Sequence, residues 1–222
     1  MTNLETYNKV VAVGVDIQND FCPGGSLAVE DGDKIIAPFN QVMAWTRAQH
    51  NGLIALTRDW HPTETSHFSE TPNFATTWPV HCVANTLGAQ FHPDLDLHDE
   101  DVQLFKGTKR DEDAYSGFQA LAHCGTNLES LLTPIKHDRV AVVIGGLATG
   151  YCVRATLLDA ERFSKHLYDN ERHLDVYAIV DSMRPVNQAT GEEALAVMAG
   201  EGIKMITSRD LVEGKVVKVE EF

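Results

Sequence analysis

Residues 140–163, VAVVIGGLATGYCVRATLLDAERF, hold the alternation on which the chain is built. The run VAVVI at 140–144 has no polar residue, so it reads as a strand buried on both faces rather than one with a wet side. Two glycines follow, and from about residue 152 to 163 the chain reads as a helix. Outward in both directions the same unit recurs. Residues 10–15 (VVAVGV) and 53–57 (LIALT) are short apolar strands, and between them Ile35, Ile36, Phe39, Val42 and Met43 recur at helical spacing. Further strands fall at 102–105, 176–180 and 203–206, and further helices at about 126–135 and 189–200. Thr126 and Glu129 form a capping-box pattern at the start of the first of these helices, and Pro134 limits it. Strands alternating with helices favour an α/β protein, a three-layer α/β/α architecture with a mainly parallel central sheet, because right-handed crossovers place helices on both faces.

The composition agrees with a folded protein. Of 222 residues, 43% are hydrophobic and 23% charged, which excludes a disordered or fibrous chain, and no linker or repeat divides residues 1–222, read here as a single domain. Lys and Arg number 18 against 32 Asp and Glu, a formal charge of −14 that repels phosphate backbones and anionic lipid. Neither nucleic acid nor a membrane is therefore an expected partner. Residues 1–9 lack an apolar stretch, and the longest nearly apolar run, 140–148, is half of the ~18 residues a membrane span needs. Four cysteines (Cys22, Cys82, Cys124, Cys152) in a chain of this length do not read as a disulfide framework, so a cytoplasmic protein with free thiols is expected. Whether it forms a homo-oligomer is open.

In parallel sheets ligands bind beyond the carboxyl ends of the strands, and the reactive residues of this chain fall there. Asp16 follows the first strand, and it is either a cap or a functional carboxylate. Lys106 follows the strand at 102–105, where a solvent-facing lysine is the commoner case. Cys152 lies beyond the buried strand at the start of a helix. A thiol in that place is either a structural core cysteine or a nucleophile whose pKa the helix dipole lowers. The segment 57–62 (TRDWHP) offers Asp59 and His61 at alternate positions, with His67 and His81 further on. Imidazole and carboxylate suit Zn²⁺, Fe²⁺ or Mn²⁺, and surface histidines on a polar loop are the alternative. The stretch 59–97 is too long for an ordinary connection and too aromatic for disorder. The charged stretch 165–175 (KHLYDNERHLD) reads as a solvated helix end and loop.

Five segments in this order carry a resemblance: VDIQNDFCPGGSLAV (15–29), TRDWHPTETSHFS (57–69), WPVHCV with GAQFHP (78–93), FKG with AYSGF (105–118) and GLATGYCVRAT (146–156). Together they resemble the nicotinamidases, also called pyrazinamidases, of the isochorismatase-like cysteine hydrolases. The resemblance implies a catalytic triad of Asp16, Lys106 and Cys152. It implies one divalent metal ion (Zn, Fe or Mn) on Asp59, His61 and His81, with His67 at a fourth position. It further implies that Phe21, Trp78 and Tyr115 line a pocket for the flat ring of nicotinamide, and that a cis peptide between Leu147 and Ala148 aims the amides of Ala148 and Cys152 at an oxyanion. The expected activity is hydrolysis of nicotinamide, and of pyrazinamide, in NAD salvage. One departure stands out: Gly150 occupies a position where many members carry Asp. The alternatives are an amidase for another small amide or carbamoyl compound, and a non-catalytic small-molecule or metal-binding protein. Simultaneous presence of Asp16, Lys106 and Cys152 favours the enzyme, since a binder needs no thiol paired with a base.

Overall fold

The computed structural model describes residues 5–135, 137–168 and 172–219. In chain order the regular elements are β1 (Glu5–Tyr7), β2 (Lys9–Val15), α1 (Ile36–Arg47), β3 (Gly52–Asp59), β4 (Val102–Lys106), α2 (Leu128–Leu132), β5 (Arg139–Leu147), α3 (Arg154–Tyr168), β6 (His173–Arg184), α4 (Gln188–Gly200), β7 (Lys204–Ile206), α5 (Ser208–Val212) and β8 (Val217–Val219). Six strands form one sheet in the order β4-β3-β2-β5-β6-β7, every pair parallel. The outermost two, β1 and β8, pair separately, also parallel. At three residues each they are too short to carry a periodic signal, and the sequence reading does not include them.

Alternate residues of the central strands face opposite layers. On one side Val10, Ala12, Ala141 and Val143 pack with Ile36, Phe39, Val42 and Met43 of α1 and Leu211 of α5. On the other, Val11, Val13, Val15, Val140, Val142 and Ile144 meet Leu128 and Leu132 of α2, Leu157 and Ala160 of α3, and Ala194 and Met198 of α4. This is the expected three-layer α/β/α arrangement. Both faces of β2 and β5 are dry, which is why their sequences do not alternate with polar residues.

Several boundaries differ from expectation, among them β6, which runs well past the expected 176–180 at both ends. The N-cap of α2 is Asn127 rather than Thr126: its side chain accepts the Ser130 N–H at 2.9 Å, and the helix stops at Leu132, two residues before Pro134, whose ring disfavours helical backbone in the residue before it. The helix carrying the nucleophile candidate begins at Arg154, and Cys152 lies in a wide turn over Thr149–Val153 closed by the Val153 N–H to the Ala148 carbonyl. Of the stretch 165–175, α3 takes the first part and β6 the last, while 169–171 lie outside the described residues. Asp175 is not a loop residue; it accepts from Arg139 at 2.8 Å and Lys204 at 2.7 Å at the sheet surface.

Strand register brings the reactive residues to one end. Val15 lies opposite Thr57 on β3 and Gly146 on β5, and Asp59 lies opposite Lys106. Asp16, Asp59, Lys106 and the turn bearing Cys152 therefore leave the sheet together at its carboxyl edge. The long connection 60–101 carries no helix or strand beyond isolated bridges, Gln18 to Phe91, His61 to Val83 and Phe68 to Trp78, and it folds back over that edge. No described helix is long and apolar enough to cross a membrane.

Candidate active site

Lys106 is the hub. Fully buried, its ammonium lies 2.8 Å from Asp16 Oδ2 and 2.5 Å from Asp59 Oδ1, and it donates to the Ala114 carbonyl at 3.0 Å and toward Cys152 Sγ at 3.4 Å. Thr57 Oγ1 donates to the other Asp16 oxygen at 2.8 Å. Asp16 has φ +51, a left-handed conformation uncommon for a residue with a side chain, at the point where the chain leaves β2. Ligand-type atoms of Asp16, Asp59 and Cys152 lie within 4.8 Å of one another, but the ammonium sits among them, so this group is an ion-pair cluster and not a second cation site.

Beside it Asp59, His61 and His81 bring one ligand atom each within 4.8 Å of one another. Both imidazoles are oriented by backbone carbonyls, His61 Nδ1 by Gly107 at 3.0 Å and His81 Nδ1 by Pro79 at 2.7 Å. A carbonyl only accepts, so Nδ1 carries a proton and Nε2 is the ring atom left to face the site. Each Nε2 faces Asp59 Oδ2, at 3.7 and 3.9 Å. Two imidazoles presenting Nε2 and a carboxylate that converge on one point fit a divalent cation, and carbonyl-anchored Nδ1–H groups are the usual support of such ligands. His67 stands against His61, ring centroids 4.6 Å apart, but it lies outside the converging set of three. Its Nδ1 meets Thr65 Oγ1 at 2.9 Å, and that hydroxyl donates to the Arg110 carbonyl.

Burial dominates the protonation of the site. It opposes the Lys106 charge, yet Asp16 and then Asp59 outweigh it and hold the pKa well above the ordinary lysine value. For Asp59 burial raises the pKa, while the adjacent Lys106 ammonium overcomes it, leaving the carboxylate well below its usual range. Asp16 is raised, by burial first and by the Asp59 charge, against the pull of Lys106. The Cys152 thiol is also pushed well up, by burial, against Lys106 and with Asp16 and Asp59 adding to the rise. This corrects the expectation of a thiol acidified by a helix dipole: Cys152 precedes α3 by two residues, and burial, with the two carboxylates adding to it, sets the direction of the shift. A thiol in this environment rests protonated and needs a base at the moment of reaction. Burial likewise sets His67 down to about 4 and Tyr115 up to about 12.

Above these clusters lies a cavity of about 320 Å³, at the small end of the range for small-molecule sites, ~300–1,000 Å³. Phe21, Trp78 and Tyr115 line it, with Ala148, Cys152, Asp59 and the three histidines. Trp78 Nε1 donates to Tyr115 Oη at 3.0 Å, which fixes the two rings to each other. The Leu147–Ala148 peptide is cis. All the singled-out residues therefore either line the cavity or, as with Asp16 and Lys106, lie beneath it. The sequence reading missed Tyr151, Leu27, Phe74, Val186 and Asn187 of the lining. Val186 and Asn187 follow β6 and Tyr151 follows β5 beside Cys152, so the strand-end rule could have found them; Leu27 and Phe74 belong to loops whose approach no local pattern records.

Two glycines bear on the site. At Gly107 φ is +63, and a Cβ would come 2.4 Å from the His61 ring, so only glycine lets the carbonyl that orients His61 sit where it does. Gly107→Ala is expected to weaken divalent-metal binding about tenfold or more, read by competition with a chromophoric chelator. At Gly150 a Cβ would meet nothing nearer than the Thr190 carbonyl at 3.6 Å, so the absence of a side chain there is not a steric requirement.

Fold and site define a parallel α/β/α protein whose sheet edge joins a buried cysteine–lysine–carboxylate cluster to a carboxylate–histidine group that could hold a cation. The chain belongs to the isochorismatase domain family, which matches residues 10–210. It is 37% identical over 194 residues to the nicotinamidase/pyrazinamidase of Mycobacterium tuberculosis, covering 87% of this chain and 96% of that one. Among solved structures it is similar to the pyrazinamidase of Pyrococcus horikoshii in complex with zinc, with 38% identity, a TM-score of 0.74, and coverage of 90% of this chain and 99% of that one. It is also similar to PnC1 from L. infantum in complex with nicotinate, with 26% identity, a TM-score of 0.74, and coverage of 98% and 100%.

Proposed function

We infer that the protein is a nicotinamidase, a cysteine amidohydrolase that converts nicotinamide to nicotinic acid and ammonia in NAD salvage and takes pyrazinamide likewise. The observation that carries this reading is the Lys106 ammonium in simultaneous contact with Asp16, Asp59 and Cys152 on the floor of a small aromatic cavity. A protein that only bound its ligand would gain nothing from burying a lysine between two carboxylates and a thiol.

Asp16 takes the Cys152 proton as sulfur attacks the carboxamide carbon, so the proton crosses directly to a base whose own raised pKa suits it to hold that proton. The C–S bond forms, and the amides of Ala148 and Cys152 take the developing oxyanion. Asp16 then gives the proton to the departing nitrogen, the C–N bond breaks and ammonia leaves a thioester. Water adds to that carbonyl, its proton passing to Asp16, the C–S bond breaks, and the proton returns to sulfur. Lys106 stays an ammonium throughout and balances the negative charge that moves between Asp16, sulfur and oxygen. Phe21, Trp78 and Tyr115 hold the ring by its faces and edge.

Asp59, His61 and His81 would hold one divalent cation, zinc, iron or manganese, with His67 at its flank. When bound, that ion supplies an electrophile for the ring nitrogen and so orients the substrate. We assign the activity to a single domain spanning the chain.

The test is direct. Purified protein incubated with nicotinamide releases ammonia and nicotinic acid in equal amounts, a chelator removes the activity, and a divalent ion restores it. Ammonia release untouched by complete removal of metal would contradict the assignment of the cation site, and no release at all would contradict the nicotinamidase reading.

A further inference from the structure

Beyond β2, Asp16, Gln18 and Asp20 each bond to segments that build the site, and only the first has a role in the chemistry above. We infer that Gln18 and Asp20 are positioning residues of the cation site, Gln18 fixing the main chain of Asp59 and Asp20 that of Cys82, the residue after His81. This rests on reading Asp59, His61 and His81 as ligands of a divalent cation.

The Gln18 side chain is fully buried. Its amide oxygen accepts the Asp59 N–H at 2.8 Å, and its amide nitrogen donates to the carbonyls of Asp59 at 2.9 Å and Ala89 at 3.0 Å. The β2–β3 ladder ends at Val15 and Thr57, and past that point the Gln18 amide stands in for the missing strand by satisfying both main-chain groups of Asp59. With its backbone held on both sides, Asp59 divides its carboxylate, Oδ1 to Lys106 and Oδ2 toward the two imidazoles. A residue that only filled the core would not need an amide in this orientation, since burying it without partners is costly.

Asp20 acts on the other ligand-bearing segment. Its Oδ2 accepts the Cys82 N–H at 2.7 Å and its Oδ1 the Ser26 N–H at 3.2 Å. Cys82 has φ +46, a conformation that persists in a non-glycine residue only where its surroundings hold it. The His61 N–H donates to the Cys82 carbonyl at 3.0 Å and the Ala84 N–H to the His61 carbonyl at 2.8 Å, so the chain beside His81 is tied at once to Asp20 and to His61. The carboxylate fits because residue 88 is glycine: a Cβ there would lie 2.1 Å from Asp20 Oδ2.

The experiment measures Co²⁺ affinity of the full chain by chelator competition, together with the visible absorption of the bound ion, which reports ligand geometry. Gln18→Met and Asp20→Asn are each expected to bind Co²⁺ about 10- to 100-fold more weakly, with altered absorption, while circular dichroism matches that of the unsubstituted protein. Gln18→Asn keeps an amide but draws it back by one methylene from Asp59 and Ala89, so it provides a second variant, with the same weakening expected, should Gln18→Met fail to fold. Asp59→Ala serves as reference. Loss of Co²⁺ in Asp59→Ala with less than fivefold weakening in the Gln18 and Asp20 variants would overturn this inference alone. Equal binding by Asp59→Ala and the unsubstituted protein would overturn the cation site and the inference together.

Discussion

Exchanging Cys152 for alanine is expected to abolish ammonia release from nicotinamide, lowering kcat/KM by on the order of 10⁴-fold or more, because removing the nucleophile from a set of groups that act together removes nearly all of their joint effect. No other cysteine lines the cavity, so no neighbouring thiol can substitute. The change removes one sulfur at a cavity wall, and the fold has little reason to notice it: the melting temperature stays within a few degrees, and nicotinate still binds. Steady-state kinetics and a thermal melt on the same sample check both halves. Activity within tenfold of the unsubstituted enzyme would show that sulfur is not the attacking atom.

Lys106→Met is expected to damage both stability and activity. Methionine matches the length of the lysine stem, so the loss is electrostatic: Asp16 and Asp59 are left facing each other without their cation in a dry site. Breaking a buried ion pair by removing one partner costs about 3–5 kcal/mol, roughly 6–20 °C of melting temperature for a chain of this size. The effect depends on pH with a definite sign. Asp16 already has a raised pKa, and losing Lys106 raises it further. The folded variant then binds a proton that the unfolded chain releases, so its stability falls as pH rises through the folded pKa and recovers on acidification. Denaturant titrations at pH 5 and pH 8 should therefore show a smaller deficit at pH 5. Activity falls at least ~10²–10³-fold at either pH, the usual consequence of removing a pre-aligned charge from a reaction centre.

The sheet was legible because its central strands are dry on both faces. Residues 10–15 and 140–144 read as buried strands, and the parallel rule collects Asp16, Asp59, Lys106 and Cys152 at one edge. The resemblance gave roles to residues that spacing alone left ambiguous, His81 above all, which lies 22 positions beyond Asp59 in a segment without periodicity. Less legible were features set by long-range contacts. Nothing local distinguishes Asn127 from Thr126 as the cap of α2, since both side chains suit the task and only the backbone of the turn decides. The rise in the Cys152 pKa was invisible for the same reason: a thiol near a helix start reads as acidic until the fold buries it and places two carboxylates from other strands beside it. Gln18 looked like an ordinary polar residue, and its role exists only because Asp59 and Ala89 arrive on either side of its amide.

The central claim is that sulfur of Cys152 forms a covalent bond to the acyl group of nicotinamide. Rapid acid quenching of the working enzyme, followed by peptide mass spectrometry, tests it most directly. The expected result is a nicotinoyl group replacing one hydrogen on the peptide that carries Cys152, present during turnover and gone when substrate is exhausted. Ammonia released in a single turnover with no adduct on that peptide at any quench time, or with the adduct on another residue, would contradict it.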